Sequence, residues 1–424
     1  QYQLFITYSF DTIDMSGLYW LPHFPYFYKK KMNLILFDDK HRDHLLPLTF
    51  TKPVAALRVG ILTIAEKWER RLNSKSSYFT QDYLQARFTT NIGEENLLVN
   101  GGLLPDAELV KAIGALKDSE AIRSGDTLLA TRTCCGSFDL NDPEIMEKAR
   151  EYPHPFSLID APWKLFTLNG QEIAADFELV TAGRRSAPLS KTVNVLHREN
   201  VFVEEGFKGE YFTLNATNGP VYLGPESEIM EGAVIRGPFS LGAHSTVKMA
   251  AKIYGPTTIG PFCKAGGEIN NSVLQAYSNK GHDGFLGNAV IGEWCNLGAD
   301  TNNSNLKNNY ADVKIWNYPK GGFTGTGLQF CGLIMGDHTK CGINTMFNTG
   351  TVVGVSANIF GDGFPRNFIP SFSWGGAAGM SVYKLEKAFE TMELVMERRG
   401  IRLTETDRDV FRHIFRETEK YRHR

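Results

Sequence analysis

The chain has 424 residues, of which 42% are hydrophobic and 22% are charged. This length predicts two or three domains, and the composition is ordinary for a globular protein. The formal net charge of -2 excludes the strongly basic surface that nucleic-acid binders use, so we expect small-molecule partners and neither nucleic acid nor membrane.

The first 31 residues differ in composition from the rest of the chain. The run Gln1–Lys31 is rich in aromatic residues and is interrupted by Asp11 and Asp14, so it is neither a convincing signal peptide nor a membrane span. A strand-like run begins directly after Met32. We expect residues 1–31 to be an extension that is disordered or not native, and we expect the protein to be cytoplasmic.

Residues 32–200 have the pattern of an α/β domain. Strand-like apolar runs occur at Leu34–Phe37, Leu97–Val99 and Thr127–Ala130, and the run Val59–Leu72 has helical spacing. This alternation predicts a Rossmann-like sheet with helices packed on its faces.

The segment that follows the first predicted strand carries a family resemblance. Residues 38–49 read DDKHRDHLLPLT, and Lys52-Pro53 follows. This resembles the opening of sugar nucleotidylyltransferases, in which a strand leads to a Gly-rich loop, L-x-P-L-T and a Pro–Lys pair. The glycines, which let backbone N–H groups approach a triphosphate, are missing here. Asp38 and Asp39 would instead repel phosphate unless a metal or the neighbouring basic residues intervened.

The resemblance leaves the activity of this domain open. If the domain is active, the resemblance implies Mg²⁺ and a nucleoside triphosphate as co-substrate. The family has a magnesium-binding Asp where Gly102 stands, so the metal ligands stay unknown. Arg42, Lys52 and Arg58 are the candidate phosphate contacts. Two alternatives remain, namely nucleotidyl transfer and a vestigial domain that binds a sugar nucleotide without transfer.

A six-residue apolar repeat organises the C-terminal half. A period of six fits neither a helix nor a free strand. It fits a coil whose short strands turn a corner every six residues, with one side chain per face pointing inward. We therefore predict a parallel β-helix over residues 201–370. The repeat positions are Leu223, Ile229, Ile235, Leu241, Val247, Ile253, Ile259 and Ala265, then Phe285, Ile291 and Leu297, then Met335, Cys341, Phe347, Val353 and Ile359.

This repeat resembles that of the hexapeptide-repeat acyltransferases. The resemblance implies coils that wind left-handed, a homotrimer, and acyl-donor sites between adjacent β-helices. A partner surface is physically reasonable, because one coil cannot close a site over the long arm of coenzyme A.

An interruption of the repeat carries the predicted chemistry. Residues 279–287 read NKGHDGFLG, residues 291–301 read IGEWCNLGADT, and residues 302–308 read NNSNLKN. Their order and spacing resemble the acetyltransferase domain of bifunctional UDP-N-acetylglucosamine diphosphorylase/glucosamine-1-phosphate N-acetyltransferases, in a variant subgroup with an altered N-terminal motif. The resemblance assigns His282 as general base, and an imidazole suits removal of a proton from an ammonium nucleophile. It assigns Asn305 to orient the substrate.

Further residues of this region acquire roles from the same resemblance. Glu268 and Asn296 match positions that contact the sugar. Phe285 replaces a family Tyr, so one phosphate-contacting hydroxyl is missing. Ala299 and Thr301 fall where backbone groups approach acetyl-CoA, the implied co-substrate, and their N–H groups would stabilise an oxyanion.

One departure concerns the phosphate of the acceptor. The family has a sugar-phosphate Lys where Asn270 stands, and Lys252, together with Lys248 and Lys264, could supply the positive charge instead. The acceptor therefore stays open between glucosamine 1-phosphate and another sugar phosphate.

Residues 371–424 are predicted to form a helical tail. Leu385, Phe389 and Met392 have helical spacing, and Thr404 with Asp407 favours a second helix start. We expect the tail to pack on the β-helix or on a neighbouring chain.

These features together predict acetyl-CoA-dependent N-acetylation of a hexosamine 1-phosphate, coupled to uridylyl transfer onto the sugar 1-phosphate. One alternative is a sugar-1-phosphate nucleotidylyltransferase in which the β-helix only oligomerises the chain. Another is an acyltransferase with a vestigial N-terminal domain.

Overall fold

A computed structural model describes residues 33–134, 138–140 and 142–422. The predicted extension, residues 1–31, lies outside the described residues. Within them, the predicted fold class is confirmed, namely an α/β domain, a left-handed parallel β-helix and a helical tail. Each described helix is too short or too polar to cross a membrane.

The N-terminal domain is built on a six-stranded mixed sheet in the order β2-β1-β3-β6-β5-β7. Its strands, with the short pair β4 and β8, are β1 (Asn33–Phe37), β2 (Ser76–Phe79), β3 (Asn96–Asn100), β4 (Leu103–Leu104), β5 (Ala121–Ser124), β6 (Thr127–Thr133), β7 (Arg150–Glu151) and β8 (Ser157–Leu158). Its helices are α1 (Ile64–Leu72), α2 (Asp82–Gln85), α3 (Ala107–Gly114), α4 (Pro143–Lys148), α5 (Lys164–Thr167) and α6 (Asn169–Thr181), with 3-10 turns at Lys40–Leu45 and Val54–Ala56.

Strand β1 pairs in parallel with both β2 and β3 at the centre of this sheet. Strands β1 and β3 are apolar and buried almost throughout, as expected for parallel strands covered on both faces. The carboxyl ends of β1 and β3 therefore meet at one edge of the sheet, the edge at which open α/β sheets bind ligands.

Helix α1 begins five residues later than the sequence pattern predicts. Thr63 caps it in a reciprocal capping box with Glu66. Gly60 has a φ of +78° and the amides of Ile61 and Leu62 bond to the Asp176 carboxylate. Residues 59–63 are thus a loop held by α6, a tertiary contact that periodicity cannot show.

The β-helix has three faces, which we name in chain order. Face A contains Asn194–Leu196, Thr213–Asn215, Val234–Arg236, Lys252–Tyr254, Glu268–Asn270 and Phe285–Gly287, continued by Asn302–Asn303 and Met346–Phe347. Face B contains Val201–Val203, Val221–Leu223, Phe239–Leu241, Thr257–Ile259, Val273–Leu274, Val290–Ile291, Ile334–Met335, Val352–Val353 and Phe368–Ile369. Face C contains Lys208–Gly209, Glu228–Ile229, Thr246–Val247, Lys264–Ala265, Asn279–Lys280, Asn296–Leu297, Lys340–Cys341, Asn358–Ile359 and Ser373–Gly376, with Gly379–Val382 added antiparallel.

The six-residue period correctly identifies the interior of the β-helix, with one exception. The uninterrupted series from Leu223 to Ala265 is buried in a single apolar cluster. At the interruption the inward side chain is Leu286, and Phe285 is half-buried on the outer surface of face A. The prediction that Phe285 points inward is wrong, because the step from the inward Leu286 to the inward Ile291 is five residues, one residue shorter than the period.

A hairpin is inserted between the coils. Strands Lys314–Asn317 and Gly322–Gly325 pair antiparallel after the strand Asn302–Asn303, and the repeat resumes at Ile334. This insertion brings Val313, Ile315 and Trp316 into the main apolar core.

Face B is covered by the N-terminal domain. The Thr258 hydroxyl donates to the Gly60 carbonyl at 2.9 Å, and the Gln275 side chain bonds both the amide and the carbonyl of Arg58 at 2.6 and 3.0 Å. Outward side chains of this face, such as Val273 and Val290, join the core of the N-terminal domain. The outer surface of face B therefore forms part of the apolar core of the N-terminal domain, separate from the interior of the β-helix. Faces A and C carry the candidate acyl-transfer residues.

The tail forms helices α7 (Leu385–Glu397), α8 (Glu405–Glu417) and α9 (Glu419–Arg422). Phe411 contacts His338 of the β-helix edge-on at 5.2 Å, and His413 stacks on Tyr83 of the N-terminal domain at 4.0 Å. The tail thus packs back on its own chain, against both domains.

Candidate functional site

His282 lies at the corner between faces C and A. It follows the strand Asn279–Lys280 and precedes the strand Phe285–Gly287, and its side chain is exposed. Its backbone carbonyl is fixed from inside the coil, while the imidazole stays accessible. An accessible imidazole on a fixed backbone suits proton transfer to a small molecule bound outside the coil.

Lys280 provides that internal support, and the sequence pattern does not reveal it. Lys280 pairs in register with the inward Ala265 and is only 1% exposed. Its ammonium donates to the carbonyls of Gly266 and His282 at 3.1 and 2.5 Å. Burial lowers the pKa of the Lys280 ammonium to about 8, against the opposing effect of Asp283 and Asp300.

Three predicted acceptor-binding residues share the outer surface of face A beside this corner. Lys252 pairs with Glu268, and Glu268 pairs with Phe285, on consecutive coils. The Tyr254 hydroxyl donates to a Glu268 carboxylate oxygen at 2.6 Å. The structure therefore brings Lys252, Glu268 and Phe285 together next to His282. This surface carries one positive charge, one negative charge and an aromatic ring.

The next coil places the predicted acyl-donor residues directly above His282. The Asp300 amide donates to the Asp283 carbonyl at 3.0 Å, so the two corners are stacked. Asn296 is exposed on face C and Ala299 is half-buried at the corner. Thr301 is buried, and both its hydroxyl (2.7 Å) and its amide (3.3 Å) donate to the Gly298 carbonyl.

Asn305 lies at the opposite edge of face A. Its side-chain Nδ2 donates to the side-chain Oδ1 of Asn288 at 2.8 Å, beyond the end of the strand Phe285–Gly287. His282 precedes that strand and Asn288 follows it. Within one chain, His282 and Asn305 therefore lie at the two ends of the same strand of face A.

Two of the predicted phosphate contacts of the N-terminal domain are buried. Arg42 donates to the Thr49 carbonyl at 2.6 Å and the Tyr83 hydroxyl at 2.8 Å, and lies 3.5 Å from the Asp38 carboxylate. Lys52 is only 3% exposed. Arg42 thus already has its charge and donors engaged inside the protein.

Lys52 is the centre of an ion cluster between the two domains. Its ammonium lies 2.8 Å from Glu293 and 2.9 Å from Asp337, both of the β-helix. Asp337 also accepts from the Thr51 hydroxyl at 2.6 Å and from the Glu293 amide at 2.7 Å. A phosphate would have to displace these carboxylates to reach Lys52.

A cavity of about 420 Å³ opens at the carboxyl ends of β1 and β2. Asp38, Asp39, Lys40, Thr80 and Asp126 are among the residues that line it. Its position matches the ligand-binding edge of an α/β sheet. Lys40, which contacts Asp126 at the rim, is the cation of this cavity that is best exposed to a phosphate group.

The carboxylates of this cavity do not fit a preformed Mg²⁺ site. Asp38 accepts from the Val54 amide at 2.9 Å and the Thr80 hydroxyl at 2.5 Å, and Asp39 interacts with His41 and Asn100. Within the described part of the chain, no group of three potential metal ligands occurs. We therefore derive no reaction step through a metal ion.

Asp38 should make stability depend on pH. Burial raises the pKa of its carboxyl from 3.8 to about 6, so the folded state binds this proton more tightly than the unfolded state. Its stabilising contribution, about 3 kcal/mol, is fully present below about pH 4 and is lost as the pH rises through 6. Free energies of unfolding measured from pH 4 to 7.5 should show that the stability of wild type, relative to that of Asp38→Asn, falls as the pH rises. The control Asp126→Asn should not show this trend, and a pH-independent difference for Asp38→Asn would contradict the assignment.

Solved structures with the β-helix architecture resemble this chain weakly. The polySia-specific acetyltransferase NeuO is 14% identical, with coverage of 45% of this chain and 85% of that chain and a TM-score of 0.25. An Arabidopsis UDP-N-acetylglucosamine acyltransferase is 16% identical (55% and 84% coverage, TM-score 0.23). A mutant of AntD, an N-acyltransferase from Bacillus cereus, is 10% identical (50% and 87% coverage, TM-score 0.21). TM-scores at this level support no conclusion about activity.

Sequence comparison is informative for the N-terminal domain. No curated protein matches the chain. A family match nevertheless spans β1 to the end of α6 and includes the cavity at the sheet edge. Residues 34–185 of this chain match the sugar nucleotidyl transferase family.

Proposed function

We propose that this protein is an acetyl-CoA-dependent N-acetyltransferase that acts on a hexosamine 1-phosphate, with glucosamine 1-phosphate as the first candidate acceptor. The observation that carries the proposal is the corner at His282. An exposed imidazole lies there beside the Lys252–Glu268–Phe285 surface and directly below the corner that contains Ala299.

In this proposal, each residue acts on a specific atom. His282 accepts a proton from the acceptor ammonium, and the freed amine attacks the thioester carbonyl carbon. The carbon–sulfur bond then breaks, and the leaving sulfur takes the second proton lost by the nitrogen, which releases the CoA thiol. Lys252 faces the acceptor phosphate, and Glu268 contacts the sugar. The backbone at Ala299 lies near the thioester, and Asn296 contacts the acceptor from face C.

We further propose a homotrimer. His282 and Asn305 lie at opposite edges of face A, so a single chain leaves the two residues apart. Packing of neighbouring β-helices against each other would let one chain supply His282 and its partner supply Asn305.

The N-terminal domain would supply the nucleotide part of the chemistry. The family match of residues 34–185 supports transfer of a uridylyl group onto the sugar 1-phosphate. The cavity at Asp38 to Lys40 is the candidate position for the nucleotide. The same match favours the second candidate, a nucleotidylyltransferase in which the β-helix only oligomerises the chain.

Two assays on the intact protein separate these alternatives. The first measures release of the CoA thiol from acetyl-CoA with glucosamine 1-phosphate and other amino-sugar phosphates. The second measures pyrophosphate release from UTP and other nucleoside triphosphates with each sugar 1-phosphate. Thiol release that depends on an amino-sugar phosphate supports the acetyltransferase. Pyrophosphate release without any thiol release supports the second candidate, and thiol release alone indicates a vestigial N-terminal domain.

A further inference from the structure

We infer that a second cavity, distant in sequence from the His282 corner, binds a phosphorylated nucleoside. This cavity has a volume of about 1110 Å³ and lies between the inserted hairpin, the last coils and α9. We call it the hairpin cavity. Its residues include Lys314, Trp316, Phe323, Arg366 and Tyr421. The size suits a ligand as large as a nucleotide or coenzyme.

One wall of the hairpin cavity is aromatic. Trp316 stacks on Phe368 with ring centroids 4.0 Å apart and planes 9° apart. Phe323 and Tyr421 meet Trp316 edge-on at 5.5 and 6.2 Å. Phe323 is itself 43% exposed. A planar heterocycle can therefore add to an existing aromatic cluster.

Trp316 also offers an unused hydrogen-bond donor. The residue is only 8% exposed, yet its indole Nε1 has no hydrogen-bond partner in the described structure. A buried N–H group without a partner costs free energy, and such groups are uncommon in folded proteins. Because the Nε1 atom itself is buried, an acceptor atom of a bound base or ribose would reach it after a small shift of the neighbouring side chains.

The charged residues in the described lining of the cavity are all basic. Lys307, Lys314, Arg366 and Arg422 contribute to it, and none of the described lining residues is Asp or Glu. Arg422 is held by stacking on Phe415 at 4.1 Å and by donation to the Phe415 carbonyl at 2.7 Å. This excess of basic residues in the described lining favours an anionic ligand group, and phosphate is the anion that accompanies a planar heterocycle in nucleotides.

This site goes beyond the proposed acetyl transfer at His282. The hairpin and the tail that build it lie outside the six-residue repeat. The shared ligand chemistry is a nucleoside 5′-diphosphate, which occurs both in CoA and in nucleotide sugars. Binding can be measured without catalysis, so failure of this inference is distinguishable from failure of the proposed function.

Isothermal titration of the full-length protein with CoA, ADP, UDP and inorganic pyrophosphate tests the inference. We expect saturable binding of at least one nucleoside diphosphate compound, weakened about tenfold or more in Lys314→Ala. Trp316→Phe, which keeps an aromatic ring but loses the N–H donor, should also weaken binding. Lys320→Ala is the matched control, since Lys320 lies in the same hairpin but does not line the cavity.

The comparison of probes identifies the source of the ligand. Tighter binding of CoA than of ADP and UDP indicates the acyl donor, and tighter binding of UDP indicates a nucleotide sugar. The inference is overturned if wild type binds none of the three nucleotides, or if Lys314→Ala binds them as wild type does. Pyrophosphate that binds as tightly as ADP would also overturn it, because the aromatic wall would then have no role.

Discussion

His282→Asn is expected to lower kcat/KM for thiol release by about 10² to 10⁴-fold, the usual contribution of a positioned general base. Asn tolerates turn conformations and forms hydrogen bonds, but it cannot accept a proton near neutral pH. Because His282 is exposed and only its carbonyl is bonded from within, the variant should fold normally. The loss should appear mainly in kcat, with little change in the KM for acetyl-CoA.

The matched control for this prediction is His244→Asn. His244 is also exposed at a corner of the β-helix, where it stacks on Phe262 at 4.8 Å, but it lies between faces B and C. This variant should keep activity close to that of wild type. Retention of full activity by His282→Asn, measured alongside an unchanged melting temperature, would exclude the imidazole as the base.

Lys52→Met is expected to destabilise the protein by about 3 to 5 kcal/mol, the usual effect of removing one partner from a buried ion pair. Methionine preserves the apolar stem of Lys52 but leaves the Asp337 and Glu293 carboxylates without their cation. The free-energy cost is larger for the Asp337 carboxylate than for that of Glu293, because the Asp337 side chain is 6% exposed and the Glu293 side chain is 24% exposed. Denaturant unfolding at constant m-value measures this change.

A double-mutant cycle shows whether this cost comes from the cluster itself. Lys52→Met combined with Asp337→Asn should be less destabilising than the sum of the two single changes, since the second change removes an unpaired buried charge. The control is Lys40→Met, which removes an ion-pairing lysine from the surface and should change stability little. Additive effects of Lys52→Met and Asp337→Asn would show that the two side chains do not interact.

The cluster at Lys52 also has a consequence for the order of unfolding. It joins the N-terminal domain to the coil that contains Glu293, three residues before Asn296 of the candidate site. The domains additionally share one apolar core across face B. We therefore expect the nucleotidyl transferase-like domain and the β-helix to unfold together, without a stable separated intermediate.

Much of the fold follows from local patterns in the sequence. The inward series from Leu223 to Ala265 is predicted by its period, because each of the three faces of a coil places one apolar side chain in the interior. The central strands β1 and β3 are recognisable as short apolar runs for a similar reason. The exposed position of His282 at an interruption of the repeat is likewise consistent with its predicted role.

Other features depend on contacts between residues that are distant in the chain. Lys52 has the same sequence context whether it binds phosphate or a carboxylate, and only the docking of face B places Glu293 and Asp337 beside it. The separation of His282 from Asn305 likewise follows from the path of one strand across face A.

The sequence by itself thus determined the β-helix, the α/β domain and the candidate base, because periodicity and strand composition act over a few residues. The tertiary structure alone decided that Lys280 points inward, that Phe285 points outward, and that the hairpin and α9 enclose a cavity. These outcomes depend on the free energy of packing and charge pairing between distant segments, which no local pattern encodes.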